Sequence, residues 1–210
     1  LVAMGVSNII TFDAHDPRVQ NAIPLSGFES IMPTYQMLKA MCHTYDDLRI
    51  DKHHMMVISP DEGALNRNIY YSSAMGVDMG MFYKRRDYTR VVNGRNPIVA
   101  HEYLGDSVEG KDVFVADDII ASGDSILDLA YNLKKRKAKR VFAGATFAFF
   151  TSGLEAFDKA YADGVIDHVF ATNLTYTPQA VLDRPWFSQA DMSKYMAFVI
   201  ATLNHDQSLS

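Results

Sequence analysis

Six apolar runs, at residues 9–12, 55–59, 77–83, 113–116, 141–149 and 166–172, have the length and composition of buried strands. Between them, apolar positions return at helical spacing. Ile126, Leu129, Ala130 and Leu133 define one helix face; Leu154, Phe157, Ala160 and Tyr161 define another, with Gly164 as its stop. Residues 31–42, 66–75 and 192–203 read as further helices. Ser125, followed three residues later by Asp128, resembles a capping box and predicts a helix start. Strand alternating with helix predicts an α/β fold, a mainly parallel sheet flanked by helices. Residues 88–97, with Gly, Asn and Pro, read as a mobile loop, and residues 179–189 as irregular.

Open parallel sheets take ligands at the carboxyl ends of their strands. Polar residues capable of chemistry gather there: Asp13 and His15, Asp61, Lys84 to Arg86, and Asp117 with Asp118. Asp13 and His15, two apart at a strand end, are expected on one side of the sheet. The most informative stretch is VFVADDIIASGDS, residues 113–125. Four apolar residues run into two carboxylates, then a Ser/Gly loop, then a helix. A helix N-terminus offers unpaired N–H groups and a positive dipole end, which suit a phosphate. Adjacent carboxylates suit a hydrated Mg2+ or sugar hydroxyls. The plainer reading is a turn whose aspartates only cap and solvate the helix, but two acids directly after a buried strand are costly to keep.

Bulk properties narrow the classes. The 210 residues can bury a real core, and 48% hydrophobic with 21% charged residues is ordinary for a globular protein. A net charge of −5 gives no general case for nucleic acid or an anionic membrane as partner. The basic run KKRKAKR, residues 134–140, closes a predicted helix and reads as a solvated helix end. One cysteine, Cys42, excludes an internal disulfide and fits a reducing cytoplasm. The longest uncharged apolar-looking run, residues 141–154, is 14 residues; a bilayer-spanning helix needs roughly 20. The sequence opens with Leu1 inside an apolar pattern, so residues 1–30 are read as the end of an N-terminal domain and 31–210 as the main domain.

The 113–125 stretch resembles the ribose-phosphate signature of the type I phosphoribosyltransferase fold, a hydrophobic run followed by D-D-x-x-D-T-G-x-T. Three further segments narrow the likeness to ribose-phosphate pyrophosphokinases. FDAHDPRVQ (12–20) is similar to their D-L-H-x-x-Q-I-Q, ISPDEGALNR (58–67) to S-P-D-x-G-x-x-x-R, and YKRR (83–86) to the Lys-x-Arg that opens a flexible loop. The ending NHDQSLS (204–210) also resembles the family's close. Their order and spacing match along essentially the whole chain.

The resemblance implies a ribose-phosphate diphosphokinase that makes 5-phosphoribosyl 1-diphosphate and AMP from ATP and ribose 5-phosphate, with Mg2+, as a homo-oligomer. It implies that Ser122, Gly123, Asp124 and Ser125 bind the 5-phosphate segment and that Asp117 and Asp118 orient the ribose. His15 and Asp61 would place Mg2+–ATP, with His15, Asp61, Asp117 and Asp118 as the metal set. Lys84 and Arg86 would stabilise the moving diphosphoryl group. On their own, His15 reads as structural, Asp61 as a turn former, and Lys84 with Arg86 as a solvated strand end. The chain departs from the pattern at Ala121, where an aspartate is usual, and at Asp124, where glycine is usual; Asp124 is expected to cap the helix, turned away from the phosphate. A phosphoribosyltransferase and a non-catalytic regulatory subunit are the alternatives.

Overall fold

In a computed structural model that describes residues 1–86, 98–205 and 207, with side chains described except at 84–86 and 98–101, the chain builds two sheets of unequal size. The smaller pairs β1 (Asn8–Phe12) with β2 (Gly27–Ile31) in parallel. The larger has seven strands: β3 (Met55–Ser59), β4 (Asp78–Arg86), β5 (Ile98–Leu104), β6 (Asp112–Ile120), β7 (Arg140–Ala148), β8 (His168–Thr172) and β9 (Phe187–Ala190). They lie in the order β5-β4-β3-β6-β7-β8-β9, all neighbours parallel except β4 and β5. The helices are α1 (Thr34–Thr44), α2 (Leu65–Met75), α3 (Asp124–Lys135), α4 (Glu155–Ala162), the single turn α5 (Gln179–Leu182) and α6 (Ser193–Asn204).

Side-chain alternation along the strands feeds two cores. Phe114 and Ala116 of β6 join Met37 and Met41 of α1 and Tyr71 of α2 on one face. Val113 and Val115 join Leu129 and Leu133 of α3 and Phe157 of α4 on the other. Both faces are therefore covered, as the near-continuous apolar strands demand.

Several expectations need correcting. The strand expected at 9–12 pairs in the smaller sheet with β2, a strand the pattern did not reveal. The helix expected from residue 31 starts at Thr34, because Ile31 ends β2 and Pro33 disfavours the helical conformation at Met32 before it. Residues 179–189 are not wholly irregular: α5 and part of the edge strand β9 lie there. The β6 strand runs past the acids to Ile120, paired with β7 as far as Ala148, whereas β3 accompanies it only to Phe114. The β7 partner and two isoleucines outweigh the poor strand propensity of aspartate. The expected loop at 88–97 lies outside the described residues.

Four of the six cations in the basic run meet partners among the described residues. Lys134 pairs with Asp167 at 2.8 Å, Lys137 with Glu109 at 2.8 Å, and Arg140 with buried Asp112 at 2.6 Å. Arg136 lies 4.8 Å from the centre of the Tyr103 ring. Among the described residues, no helix is long and apolar enough to cross a membrane.

Candidate active site

The overhanging half of β6 carries the acid pair beside β7, beyond the end of β3. Asp118 is buried, and the Asp117 side chain is 25% exposed. Each carboxylate accepts a hydrogen bond from the next backbone N–H, at 2.9 Å in both cases, so the acids satisfy donors in their own strand. His15, reaching over from the turn after β1, places Nδ1 2.5 Å from Asp118 Oδ2 while its ring stays 84% exposed.

Arg67, on the first turn of α2, lies among three carboxylates. Its Nε donates to both oxygens of Asp13, at 2.8 and 2.9 Å, and its terminal nitrogens lie 3.6 Å from Asp117 and 3.7 Å from Asp118. Asp13 is buried, takes a third hydrogen bond from the Thr146 hydroxyl at 2.6 Å, and has φ +45°. That left-handed backbone is one that aspartate tolerates better than most residues. Asp13 and His15 are therefore not matched neighbours on one strand face, since the strand ends at Phe12 and one side chain is buried while the other is exposed.

Asp61 follows β3, where its carboxylate accepts from the Ala64 N–H at 3.1 Å and its carbonyl accepts from the Ser59 hydroxyl at 2.8 Å. A cleft of about 780 Å3 brings His15, Asp61, Arg67, Asp117 and Asp118 together. Ser122, Gly123, Asp124 and Ser125 do not line it. The backbone places Lys84 and Arg86 at the carboxyl end of β4, opposite β5 and beyond the last pair with β3, Ser59 with Met81. Among the described residues, no group of three or more His, Cys, Asp or Glu side chains converges tightly enough to hold a metal by itself.

The Ser/Gly loop differs from expectation in two ways. The N-cap of α3 is Gly123, with φ +91° and no side-chain capping bond, so neither the Ser125–Asp128 capping box nor capping by Asp124 forms. Asp124 instead accepts a hydrogen bond from the Ser122 hydroxyl at 2.9 Å. The helix begins two residues earlier than a Ser125 cap requires and one earlier than an Asp124 cap requires, so both side chains lie past the capping position.

Electrostatics separate the two acids. Burial, together with the Asp118 carboxylate alongside, pushes the Asp117 carboxyl up to about 7. Burial also pushes Asp118 upward, but hydrogen bonds with Asp117 and His15 and the Arg67 charge outweigh it and hold its pKa below the usual value. The hydrogen bond to Asp118 raises the pKa of His15. A carboxyl whose pKa is raised on folding destabilises the fold as pH rises from its unfolded value, near 4, through 7. Asp117→Asn removes that burden. Its stability advantage over the native chain should be larger at pH 8 than at pH 5, by on the order of 2 kcal/mol in denaturant titrations. An equal difference at both pH values would show that Asp117 ionises normally.

Residues 30–174 match the phosphoribosyl transferase domain family. The chain belongs to that family. Along its length it is also similar to proteins named ribose-phosphate pyrophosphokinase. That of Vibrio cholerae is 31% identical over 209 residues, covering 99% of this chain and 61% of the relative. That of Chromobacterium violaceum is 28% identical over 211 residues, covering 100% and 59%. The chain thus spans about three-fifths of the length of these curated relatives. Among solved structures, the phosphoribosylpyrophosphate synthetase of Mycobacterium smegmatis superposes with a TM-score of 0.76 at 20% identity, over 98% of this chain and 61% of that one, a likeness of fold. Sequence reasoning gave neither Arg67 nor Asp13 a role. Their one signal was position, Arg67 closing the ISPDEGALNR segment and Asp13 standing two residues before His15 in FDAHDPRVQ.

Proposed function

We propose that the chain carries the ribose-phosphate part of a ribose-phosphate diphosphokinase. In that reaction the anomeric hydroxyl of ribose 5-phosphate attacks the β-phosphorus of ATP, AMP leaves, and the diphosphoryl group is transferred whole. The observation that carries this reading is the His15–Asp118 contact, which joins two motifs 103 residues apart in one cleft. A phosphoribosyltransferase consumes the diphosphate and needs no triphosphate site, so it gives the FDAHDPRVQ and SPDEG segments nothing to bind.

In this reading Asp117 and Asp118 orient the ribose hydroxyls, and the backbone and hydroxyls of Ser122, Gly123 and Ser125 hold the 5-phosphate. His15 and Asp61 place the triphosphate with its Mg2+. The fit to the metal rests on the donor set, the carboxylates of Asp61, Asp117 and Asp118 in one cleft, which suit a hard cation. Mg2+ commonly takes one or two carboxylates and completes its shell with water and phosphate, so a converging cage is not required. When bound, it supplies charge neutralisation of the triphosphate. Lys84 and Arg86 stabilise the charge on the moving diphosphoryl group. The complete protein is read as a cytoplasmic homo-oligomer.

One observation favours a second reading, a non-catalytic regulatory member of the same family. The Ser122 hydroxyl already donates to Asp124, whose carboxylate opposes a phosphate at that loop. Measuring AMP release from Mg2+–ATP, with and without ribose 5-phosphate, separates the readings. AMP that appears only when the sugar phosphate is present supports the diphosphokinase. No AMP, but diphosphate release from 5-phosphoribosyl 1-diphosphate with a nucleobase, supports the transferase. Inertness in both assays supports the regulatory subunit.

A further inference from the structure

We propose that Arg67 is a positioning residue for the sugar, anchored by Asp13, and that it sets the affinity of the acid pair for ribose hydroxyls. This rests on the ribose-phosphate reading above. The guanidinium is planar, so fixing one of its nitrogens against a carboxylate fixes the direction of the other two. Asp13 does so at Nε, accepting at 2.8 and 2.9 Å with both oxygens. The remaining nitrogens then face one acid each, Nη1 toward Asp117 at 3.6 Å and Nη2 toward Asp118 at 3.7 Å. These separations give Coulombic support beyond the reach of a good hydrogen bond. Arg67 therefore steadies two mutually repelling carboxylates without consuming the lone pairs that would accept from a sugar.

The anchor is built for this purpose. Asp13 does not line the cleft, so it is placed to hold Arg67 and not a ligand. Its carboxylate is satisfied by Arg67 and Thr146, and its backbone takes the left-handed conformation, φ +45°, at the point where β1 stops. A non-glycine residue held there needs surrounding contacts to keep it there. The side chain of Arg67 is only 9% exposed, which excludes a freely moving surface cation.

The test is calorimetric binding of ribose 5-phosphate and, separately, of Mg2+–ATP to the full chain and its variants. Arg67→Met should weaken ribose 5-phosphate binding more than tenfold and change Mg2+–ATP binding less than twofold. Arg67→Lys, which restores the charge but not the fork, should recover part of the loss, and Asp13→Asn should fall between the native chain and Arg67→Met. Arg67→Met strands the buried Asp13 carboxylate and risks unfolding, so the double variant Arg67→Met with Asp13→Asn, which removes that stranded charge, should show the same selective loss. Unchanged ribose 5-phosphate binding in folded variants overturns the inference, as does equal weakening for both ligands, which marks a merely structural role. A native chain that binds no ribose 5-phosphate overturns the functional reading itself, and the inference falls with it.

Discussion

Replacing Gly123 with alanine should lower the thermal midpoint by about 6–12 °C, the equivalent of roughly 3 kcal/mol in a chain of this size. Two costs combine. The residue sits at φ +91°, where an L side chain is strained by about 1 kcal/mol. An added Cβ would also lie 2.2 Å from Cε2 and 2.4 Å from Cζ of Phe157. Phe157 cannot yield cheaply, being fully buried, stacked on Trp186 at 5.3 Å and edge-on to Phe150 at 5.1 Å. Gly164 is the control: it too has positive φ, +67°, but an added Cβ meets nothing within 4 Å. Gly164→Ala should therefore cost only the backbone strain, about 1 kcal/mol. Equal losses at the two positions, measured by calorimetric melting, would show that contact with Phe157 is not what requires glycine. The glycine in the proposed phosphate loop is thus demanded first by packing, since it lets α3 start against α4.

Lys84→Ala and Arg86→Ala should each reduce kcat by about 100- to 1000-fold in the complete active protein, the usual loss for a donor that stabilises transition-state charge. KM for either substrate should move only a few-fold. The backbone places both residues at the carboxyl end of β4, opposite β5 and beyond its last pair with β3, while Asp61 enters the cleft from the end of β3. An interaction formed mainly as charge moves lowers kcat, whereas one present equally in the ground state raises KM. Steady-state kinetics that show a raised KM with kcat intact would assign the pair to binding alone.

Much of the scaffold was legible because burial on both faces writes itself into composition. The β3 strand, MMVIS, and the helix face of Leu129 and Leu133 are apolar because nothing around them is water. Strands that need no such run escaped. FSQA of β9 is a four-residue edge strand, and β5 is an antiparallel edge whose polar residues break the pattern. Periodicity also cannot say which sheet a strand joins, and β2, the partner of β1, left no apolar pattern of its own. The acid pair was visible from its cost, two carboxylates at the end of an apolar run. Its partners were not, since Arg67 meets Asp13 across 54 residues and His15 meets Asp118 across 103. The Ser122–Asp124 bond was hidden for another reason. Both residues were in view, but which group caps a helix depends on where the helix starts, the least certain boundary in any pattern.

The most direct measurement is calorimetric titration of ribose 5-phosphate into the native chain and into Asp117→Asn with Asp118→Asn, each at pH 8 with Mg2+. If these carboxylates receive the sugar's hydroxyls, the native chain binds and the doubly amidated one loses at least tenfold in affinity while remaining folded. Matching affinities, or no binding by either, would contradict the assignment of this cleft to ribose 5-phosphate.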